Sequence, residues 1–195
     1  GAVIGNTAVF NTERNVAFAL AGIAGTISKL AFDACLYNSQ NFGFIKLPKE
    51  CTTGSSIMPH KKNPDVFELT RAKCNKLQAL PQQVTLIMNN LPSGYFRDLQ
   101  IIKEVFLPAF QELRECLQMA TYIISRLEVN ENILNDDRYD LMFSVEEVNR
   151  LASEGMPFRD AYKKVGLDIE AGKFVPKKEV NHTHEGSIGN LCTKE

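Results

Sequence analysis

Several features that often identify a protein's class are missing from this 195-residue sequence. It has no tryptophan, only three histidines and no CxxC pair. The formal net charge at pH 7 is −1, so bulk charge gives no reason to expect a nucleic-acid or membrane-surface partner. The five cysteines are scattered along the chain. An odd, scattered set favours reduced thiols in a cytoplasmic protein over a disulfide framework.

The sequence also lacks a long apolar segment. Its longest largely apolar run, Val16 to Ile27, covers twelve residues and contains two glycines, so it is too short to span a bilayer and suits a buried helix. The first ten residues, GAVIGNTAVF, have neither a Met start nor a basic n-region and do not look like a signal peptide. We therefore expect no membrane association and treat the chain as a possible fragment of a longer protein.

Helical signals dominate what is present, and no segment shows the alternation typical of strands. Small residues predict a first helix over about residues 12–38 that its neighbours approach closely. Asn63 as N-cap and Pro64 at the first helical position predict a second helix over residues 64–89. We expect Pro81 to kink that helix.

The strongest periodicity begins at Leu99. Nine apolar residues recur at heptad spacing: Leu99, Ile102, Phe106, Ala109, Leu113, Cys116, Ala120, Ile123 and Leu127. A second row, Phe110, Leu117 and Ile124, widens the stripe beyond a two-stranded seam and indicates a multi-helix bundle. One short bundle cannot cover this much apolar surface, so we expect a homo-oligomer.

Beyond residue 127 the predicted elements become shorter. The sequence Ser144-Val-Glu-Glu147 has the form of a capping box that opens a helix ending near Gly155. A further helix is predicted to end near Gly172, followed by a loosely held polar tail from Lys173. The predicted fold class is all-α, with the later part of a helical bundle in residues 1–127 and a small helical domain in residues 128–195.

One polar segment, GSSIMPHKKNP at residues 54–64, interrupts the helical pattern. Gly54 gives the backbone freedom, and a serine pair follows it. Lys61 and Lys62 precede the start of the second helix, where free N–H groups and the helix dipole favour anions. The residues alone leave two interpretations open: an ordinary flexible loop, or a mobile loop that binds a carboxylate or phosphate next to a reactive serine.

This segment resembles the signature GSSxMPxKxN of the aspartase/fumarase superfamily, whose members are lyases that release fumarate, together with a related cycloisomerase. The resemblance implies a bundle of long helices in a homotetramer and a loop that closes over a small-molecule substrate without a cofactor. It also implies that Ser55 is the general base, that Lys61 stabilises the enolate-like dianion, and that Asn63 holds a substrate carboxylate.

A second stretch, residues 95–103, is similar to the YxxDLQxxK segment of argininosuccinate lyases. The resemblance implies that Tyr95, Gln100 and Lys103 bind substrate and that the reaction releases arginine and fumarate. If the resemblance is set aside, a solvated helix start is the simpler interpretation of these three residues. The chain departs from the family pattern at Ile101-Ile102, where acidic residues are typical.

Two upstream signature regions of the superfamily are absent, so the chain resembles the C-terminal part of a lyase. The resemblance implies active sites that are shared between subunits, and we expect this chain alone to be inactive. His182 and His184 do not replace the missing histidine-rich region, and with only His60 besides them we expect no metal site. Two alternatives stay open: another superfamily enzyme, of the adenylosuccinate lyase or carboxymuconate cycloisomerase type, and a non-enzymatic crystallin-like scaffold.

Overall fold

The computed structural model describes residues 2–92, 94–180 and 182–193, except for the side chains of residues 2–10. The helices and strands, in chain order, are α1 Ala2–Tyr37, β1 Ile45–Lys46, α2 Asp65–Leu77, α3 Leu80–Ile87, α4 Ile102–Ile124, β2 Glu128–Val129, α5 Ser144–Ser153 and α6 Phe158–Glu170. The fold is all-α, as predicted. The chain forms two compact units, Gly1–Asn130 and Glu131–Glu195.

Helix α1 confirms the predicted first helix, although it begins ten residues earlier than expected. Its part from Asn11 to Tyr37 is long and apolar enough to cross a bilayer by length and composition alone. However, Ala17, Ala24 and Ala31 are completely buried within the first unit. Their small side chains let α2, α3 and α4 approach closely, so this part of the helix serves as a core element of the bundle.

The predicted second helix is broken rather than kinked. Helix α2 ends at Leu77, where the N–H group of Ala79 turns back to donate to the carbonyl of Lys76 at 3.1 Å. Helix α3 then starts at Leu80 with Pro81 in its first turn. A proline is tolerated there because its missing N–H group would have had no partner in the helix. The position of the interruption was predicted correctly, but the structure has two separate helices where a kink was expected.

Helix α4 follows a 3-10 segment, Arg97–Ile101, and continues through Pro108. Seven of the nine heptad positions are buried, and the remaining two are partly buried. The second apolar row behaves differently, since Phe110, Leu117 and Ile124 remain 43, 38 and 45% exposed. The first unit therefore fills the narrow seam with its own helices and leaves the wider face uncovered.

Two buried clusters lie at different places along α4. The cluster at its start joins Leu99 and Ile102 to residues of α1, α2 and α3. The cluster at its end joins Ile123 to Cys51 and Phe67, the buried residues on either side of the signature loop. The strands pair antiparallel near this second cluster, with Ile45 opposite Val129 and Lys46 opposite Glu128. They are too short for alternation to be visible in the sequence.

The second unit packs α5 against α6 through Val148, Leu151, Ala161 and Val165. The predicted capping box does not form, because Ser144 is already helical and makes no side-chain cap bond. The Glu147 carboxylate instead receives a hydrogen bond from the Arg150 guanidinium at 2.6 Å. This bond lowers the pKa of Glu147 and replaces the expected reciprocal cap.

The glycines at the ends of these helices fulfil their predicted role. Gly155 and Gly172 have φ values of 101° and 63°, a region that glycine occupies without the penalty that a Cβ atom imposes.

The polar tail is better held than the sequence suggested. The Lys178 ammonium lies 2.7 Å from the Asp140 carboxylate, and His182 Nε2 lies 3.1 Å from the Glu146 carboxylate. Further along, the Ser187 hydroxyl donates to the carbonyl of His184 at 2.6 Å. The first two contacts join the tail to Asp140 and to Glu146 of α5, and the third lies within the tail, so these residues make more contacts than the sequence indicated.

Candidate active site

The signature loop is closed at its base by two backbone hydrogen bonds. The N–H of Thr53 donates to the carbonyl of Asn63 at 3.1 Å, and the N–H of Asn63 donates to the carbonyl of Thr53 at 2.8 Å. Between these anchors the side chains are mostly exposed, with Ile57 reaching 87%. A segment that is fixed at both ends and has few packed contacts between them is suited to move as a lid.

Ser55 occupies a distinctive position in this loop. Its Oγ accepts hydrogen bonds from the backbone N–H groups of Ile57 and Met58, both at 3.2 Å. These two local bonds form a serine turn, which fixes the position of the Ser55 hydroxyl within the loop. The neighbouring Ser56 is exposed, and among the described residues no such pair of donors is directed at its hydroxyl.

The charged side chains of the loop, Lys61 and Lys62, are both positive. Lys61 donates its backbone N–H to the carbonyl of Met58 at 3.0 Å, and its side chain, like that of Lys62, is exposed. Segment 54–64 contains no acidic residue. Asp65, an acidic residue, is the first residue of α2 and directly follows this segment. The loop thus offers mobile cations for an anionic ligand, while the helix start behind it carries a negative charge of its own.

The predicted capping role of Asn63 is wrong. Helix α2 begins at Asp65, so Pro64 occupies the N-cap position and no side chain caps the helix. Asn63 uses its backbone to close the loop, and its side-chain amide donates to the carbonyl of Gly54 at 3.5 Å. Its side chain therefore stays on the loop side, where a ligand can reach it.

The three residues predicted to bind substrate form a single hydrogen-bonded chain. The Lys103 ammonium donates to Gln100 Oε1 at 2.8 Å, and Gln100 Nε2 donates to the Tyr95 hydroxyl. The amide orientation follows from this arrangement, because only an oxygen can accept from an ammonium group. All three side chains are exposed, so the chain presents an ordered row of polar groups to a ligand.

The two groups of predicted site residues do not meet within this chain. The loop is anchored next to Ile123, at the end of α4, whereas Lys103 is the second residue of that helix. Twenty residues of α-helix separate these positions by about 30 Å. The tip of the loop extends at most about 18 Å from its base. The two groups of predicted site residues therefore start from positions far apart along α4 in this chain.

Sequence reasoning missed one residue near the second group. Glu13 of α1 is partly buried, and its Oε2 has no hydrogen-bond partner among the described residues. Burial raises the pKa of Glu13, and the positive charge of Lys103 opposes that rise. The sequence signal for the partial burial of Glu13 is its spacing, since Glu13 lies one helical turn before the buried Ala17.

The candidate site does not coincide with the groove that lies along α4. A groove of about 950 Å³ runs between α1 and α4 and is lined by residues such as Ile23, Phe110 and Leu117, but it includes none of the six predicted site residues. Within the described part of the chain, no group of three or more potential metal ligands occurs.

Comparison with known sequences identifies close relatives. The lyase family model matches residues 8–79. Argininosuccinate lyases from Phocaeicola vulgatus and Bacteroides thetaiotaomicron are 83% and 82% identical over 92% and 94% of this chain. An argininosuccinate lyase from Arthrospira platensis is 37% identical over 76% of the chain. The chain spans only about two-fifths of the length of the first two relatives, 40% and 41%.

Solved structures share the fold. A crystal structure described as fumarate lyase:delta crystallin from Brucella melitensis matches 83% of this chain with a TM-score of 0.65 and 24% identity, and the match covers 35% of that protein. A 3-carboxy-cis,cis-muconate lactonizing enzyme from Pseudomonas putida matches 82% of the chain and 35% of its own length, with a TM-score of 0.64 and 18% identity. At these identities the likeness concerns the fold alone.

Proposed function

We propose that the protein of which this chain forms part is an argininosuccinate lyase of the aspartase/fumarase superfamily, because a lyase family model and relatives with that name match it. The reaction is a β-elimination that cleaves argininosuccinate into arginine and fumarate, and it requires no cofactor. Close identity to relatives with that name supports this substrate over adenylosuccinate. Such an enzyme would act in arginine biosynthesis in the cytoplasm.

The observation that carries the proposal is the environment of Ser55. A serine hydroxyl is a poor base in water, and it needs neighbouring donors, positive charge and exclusion of water to lose its proton. The loop already supplies two backbone donors to Ser55 Oγ and the positive charge of Lys61. Closure of the loop over substrate would supply the exclusion of water.

In the proposed mechanism, Ser55 removes the proton from the carbon next to the substrate carboxylate. The carboxylate then carries additional negative charge in an enolate-like dianion, and the Lys61 ammonium stabilises it. Asn63 contacts the carboxylate through its side-chain amide. The chain of Tyr95, Gln100 and Lys103 binds another polar part of the substrate and keeps it oriented for elimination of arginine.

The separation of these residues along α4 supports a shared site. We propose that a complete site combines the loop of one subunit with the Tyr95–Gln100–Lys103 chain of another, in a homotetramer. The exposed row of Phe110, Leu117 and Ile124 supports this assembly, because association would bury it.

Paired serine substitutions test the function. In the full-length protein, Ser55→Ala should lower kcat for argininosuccinate by about 10²–10⁴, the usual contribution of a general base. Ser56→Ala is the matched control, since it removes an identical hydroxyl from the next residue of the same loop. If Ser56→Ala abolishes turnover while Ser55→Ala does not, the base is misassigned. If the wild-type protein cleaves adenylosuccinate instead, the substrate is wrong.

A further inference from the structure

The segment that leads into the signature loop contains a strand that is unusually short. This segment, residues 43–53, is called the upstream arm below; it follows the turn after α1, forms β1 and reaches the base of the loop. Strand β1 consists of Ile45 and Lys46 alone, and its partner β2 is equally short. A two-stranded ladder of this size is marginally stable by itself. Other contacts are therefore needed to hold the upstream arm in place.

Two asparagine side chains provide hydrogen bonds at the two ends of β1. Before the strand, the Asn130 side-chain amide donates to the carbonyl of Gly43 at 3.2 Å, and the backbone N–H of Asn130 donates to the carbonyl of Phe44 at 2.9 Å. After the strand, the N–H of Leu47 donates to Asn38 Oδ1 at 3.1 Å. A carbonyl needs a donor and an N–H needs an acceptor. Asn130 therefore presents its amide nitrogen to the arm, and Asn38 presents its amide oxygen.

These two asparagines, called the asparagine clamp below, connect the upstream arm to the helical bundle. Asn38 directly follows α1, and Asn130 directly follows β2, shortly after the end of α4. Leu47 and Cys51 of the arm are buried in the same cluster as Ile123 of α4. Burial of Leu47 would leave its N–H without a partner if Asn38 did not accept from it. Polar bonds thus hold the start of the arm, and apolar packing holds the part nearest the loop.

We propose that Asn38 and Asn130 are positioning residues for the signature loop and confine its motion to residues 54–62. The base of the loop has a fixed position only if the arm that leads to it is fixed. With the arm held, each closure of the loop brings Ser55 to the same place, and proton transfer requires such a defined geometry. Both asparagines act through the arm rather than on the substrate. The inference rests on the proposed function insofar as it concerns turnover.

The first measurement is independent of activity. In the full-length protein, hydrogen exchange of peptides that cover residues 43–53 is followed by mass spectrometry. The same substitution should have opposite results at the two clamp positions, because aspartate keeps an acceptor oxygen but has no amide donor. Asn130→Asp should increase exchange by about two- to tenfold, the factor that corresponds to the loss of one hydrogen bond. Asn38→Asp should stay within about twofold of wild type, whereas Asn38→Leu, which has no acceptor, should increase exchange as Asn130→Asp does.

Asn41→Asp is the matched control for the added charge. Asn41 is exposed and lies in the turn that precedes Gly43, so the substitution places a carboxylate beside the arm without removing a bond of the asparagine clamp. Its exchange should equal that of the wild-type protein. An equal increase in Asn41→Asp, an unchanged exchange in Asn130→Asp, or equal effects of aspartate at both clamp positions would overturn the proposal.

Steady-state kinetics then test the positioning role. Asn130→Asp and Asn38→Leu should lower kcat for argininosuccinate by about two- to tenfold, because fewer closures of the loop place Ser55 correctly. KM should change by less than about twofold, since the Tyr95–Gln100–Lys103 chain is unaltered. Asn38→Asp should retain the wild-type kcat. Increased exchange with an unchanged kcat would overturn the positioning role. A wild-type protein that does not cleave argininosuccinate would instead refute the proposed function, while hydrogen exchange would still decide whether the clamp holds the arm.

Discussion

Mixing two inactive variants offers the most demanding test of how the active site is assembled. Ser55→Ala removes the proposed base from the loop, and Lys103→Ala removes the cation from the start of α4. Loss of a hydrogen bond to a charged group costs about 1.5–3 kcal/mol, so Lys103→Ala should weaken catalysis by about 10- to 150-fold. Each variant alone should therefore have little activity.

The expected recovery follows from the separation of about 30 Å between the two halves along α4. If every site takes its loop from one subunit and its Lys103 from another, some sites in a mixed tetramer contain neither substitution. When equal amounts mix at random and the two halves are contributed independently, about one-quarter of all sites contain neither substitution. The mixture should thus reach about a quarter of the wild-type specific activity.

The assay uses full-length variants that are unfolded and refolded together, then compared with the same variants refolded separately. The control mixes wild-type protein with the Ser55→Ala/Lys103→Ala double variant. If each site lay within one chain, this control mixture would keep about half of the wild-type activity. If sites are shared, it should keep about a quarter, because an intact loop is then often combined with a substituted Lys103 half, and the reverse. Failure of the two single variants to complement, together with an unchanged control at half activity, would refute the reasoning that sites are shared between chains.

Two other predictions concern stability. Asn63→Ala should cost less than about 0.5 kcal/mol in urea unfolding, because its side chain caps no helix; a loss of about 1 kcal/mol would indicate a cap after all. Burial, reinforced by the Cys116 thiol, raises the pKa of Cys74 to about 12. The unfolded chain therefore loses that proton first, and stability should fall as pH rises from about 9 to 12. Unfolding free energies across this range should decline less steeply in Cys74→Ala, and equal slopes would contradict the assignment.

The long helices were predictable because their signals are repeated many times. The buried face of α4 contains Ile102, Ala109, Leu113 and Ile123, and each residue independently supports the same helical period. An error at one position cannot change such a pattern. For the same reason α1 was recognised although its start was placed too late.

The helix starts were less predictable, because each depends on a single residue whose backbone has competing partners. The sequence favours Asn63 as a cap, but its N–H and C=O groups both pair with Thr53 to close the loop. The conformation that this pairing imposes leaves Pro64 at the helix start, with a φ of −81° and a ψ of 45°. Ser144 follows a 3-10 segment and is already helical, so it cannot serve as a cap.

For the candidate site, the residue types were predictable and their connections were not. The signature identifies Ser55, but nothing in its letters indicates that the N–H groups of Ile57 and Met58 converge on its Oγ. Similarly, Gln100 and Lys103 are recognisable at i and i+3, whereas the burial of a Glu13 carboxylate oxygen depends on how α1 packs. The first feature depends on the backbone conformation of the loop and the second on tertiary packing, and the residue letters record neither.

The proposed arrangement would also explain how a base as weak as serine can act from an exposed loop. Within one subunit, Ser55 and Lys61 lie close to water, where an alkoxide would be rapidly protonated and the ammonium would be screened. In the proposed assembly, the same groups would become effective when a neighbouring subunit brings substrate and excludes solvent. Burial of the apolar row on α4 would drive that association. In this interpretation, one helix joins assembly to catalysis: its exposed side recruits the partner chains, and its two ends provide the separate halves of the sites that those chains complete.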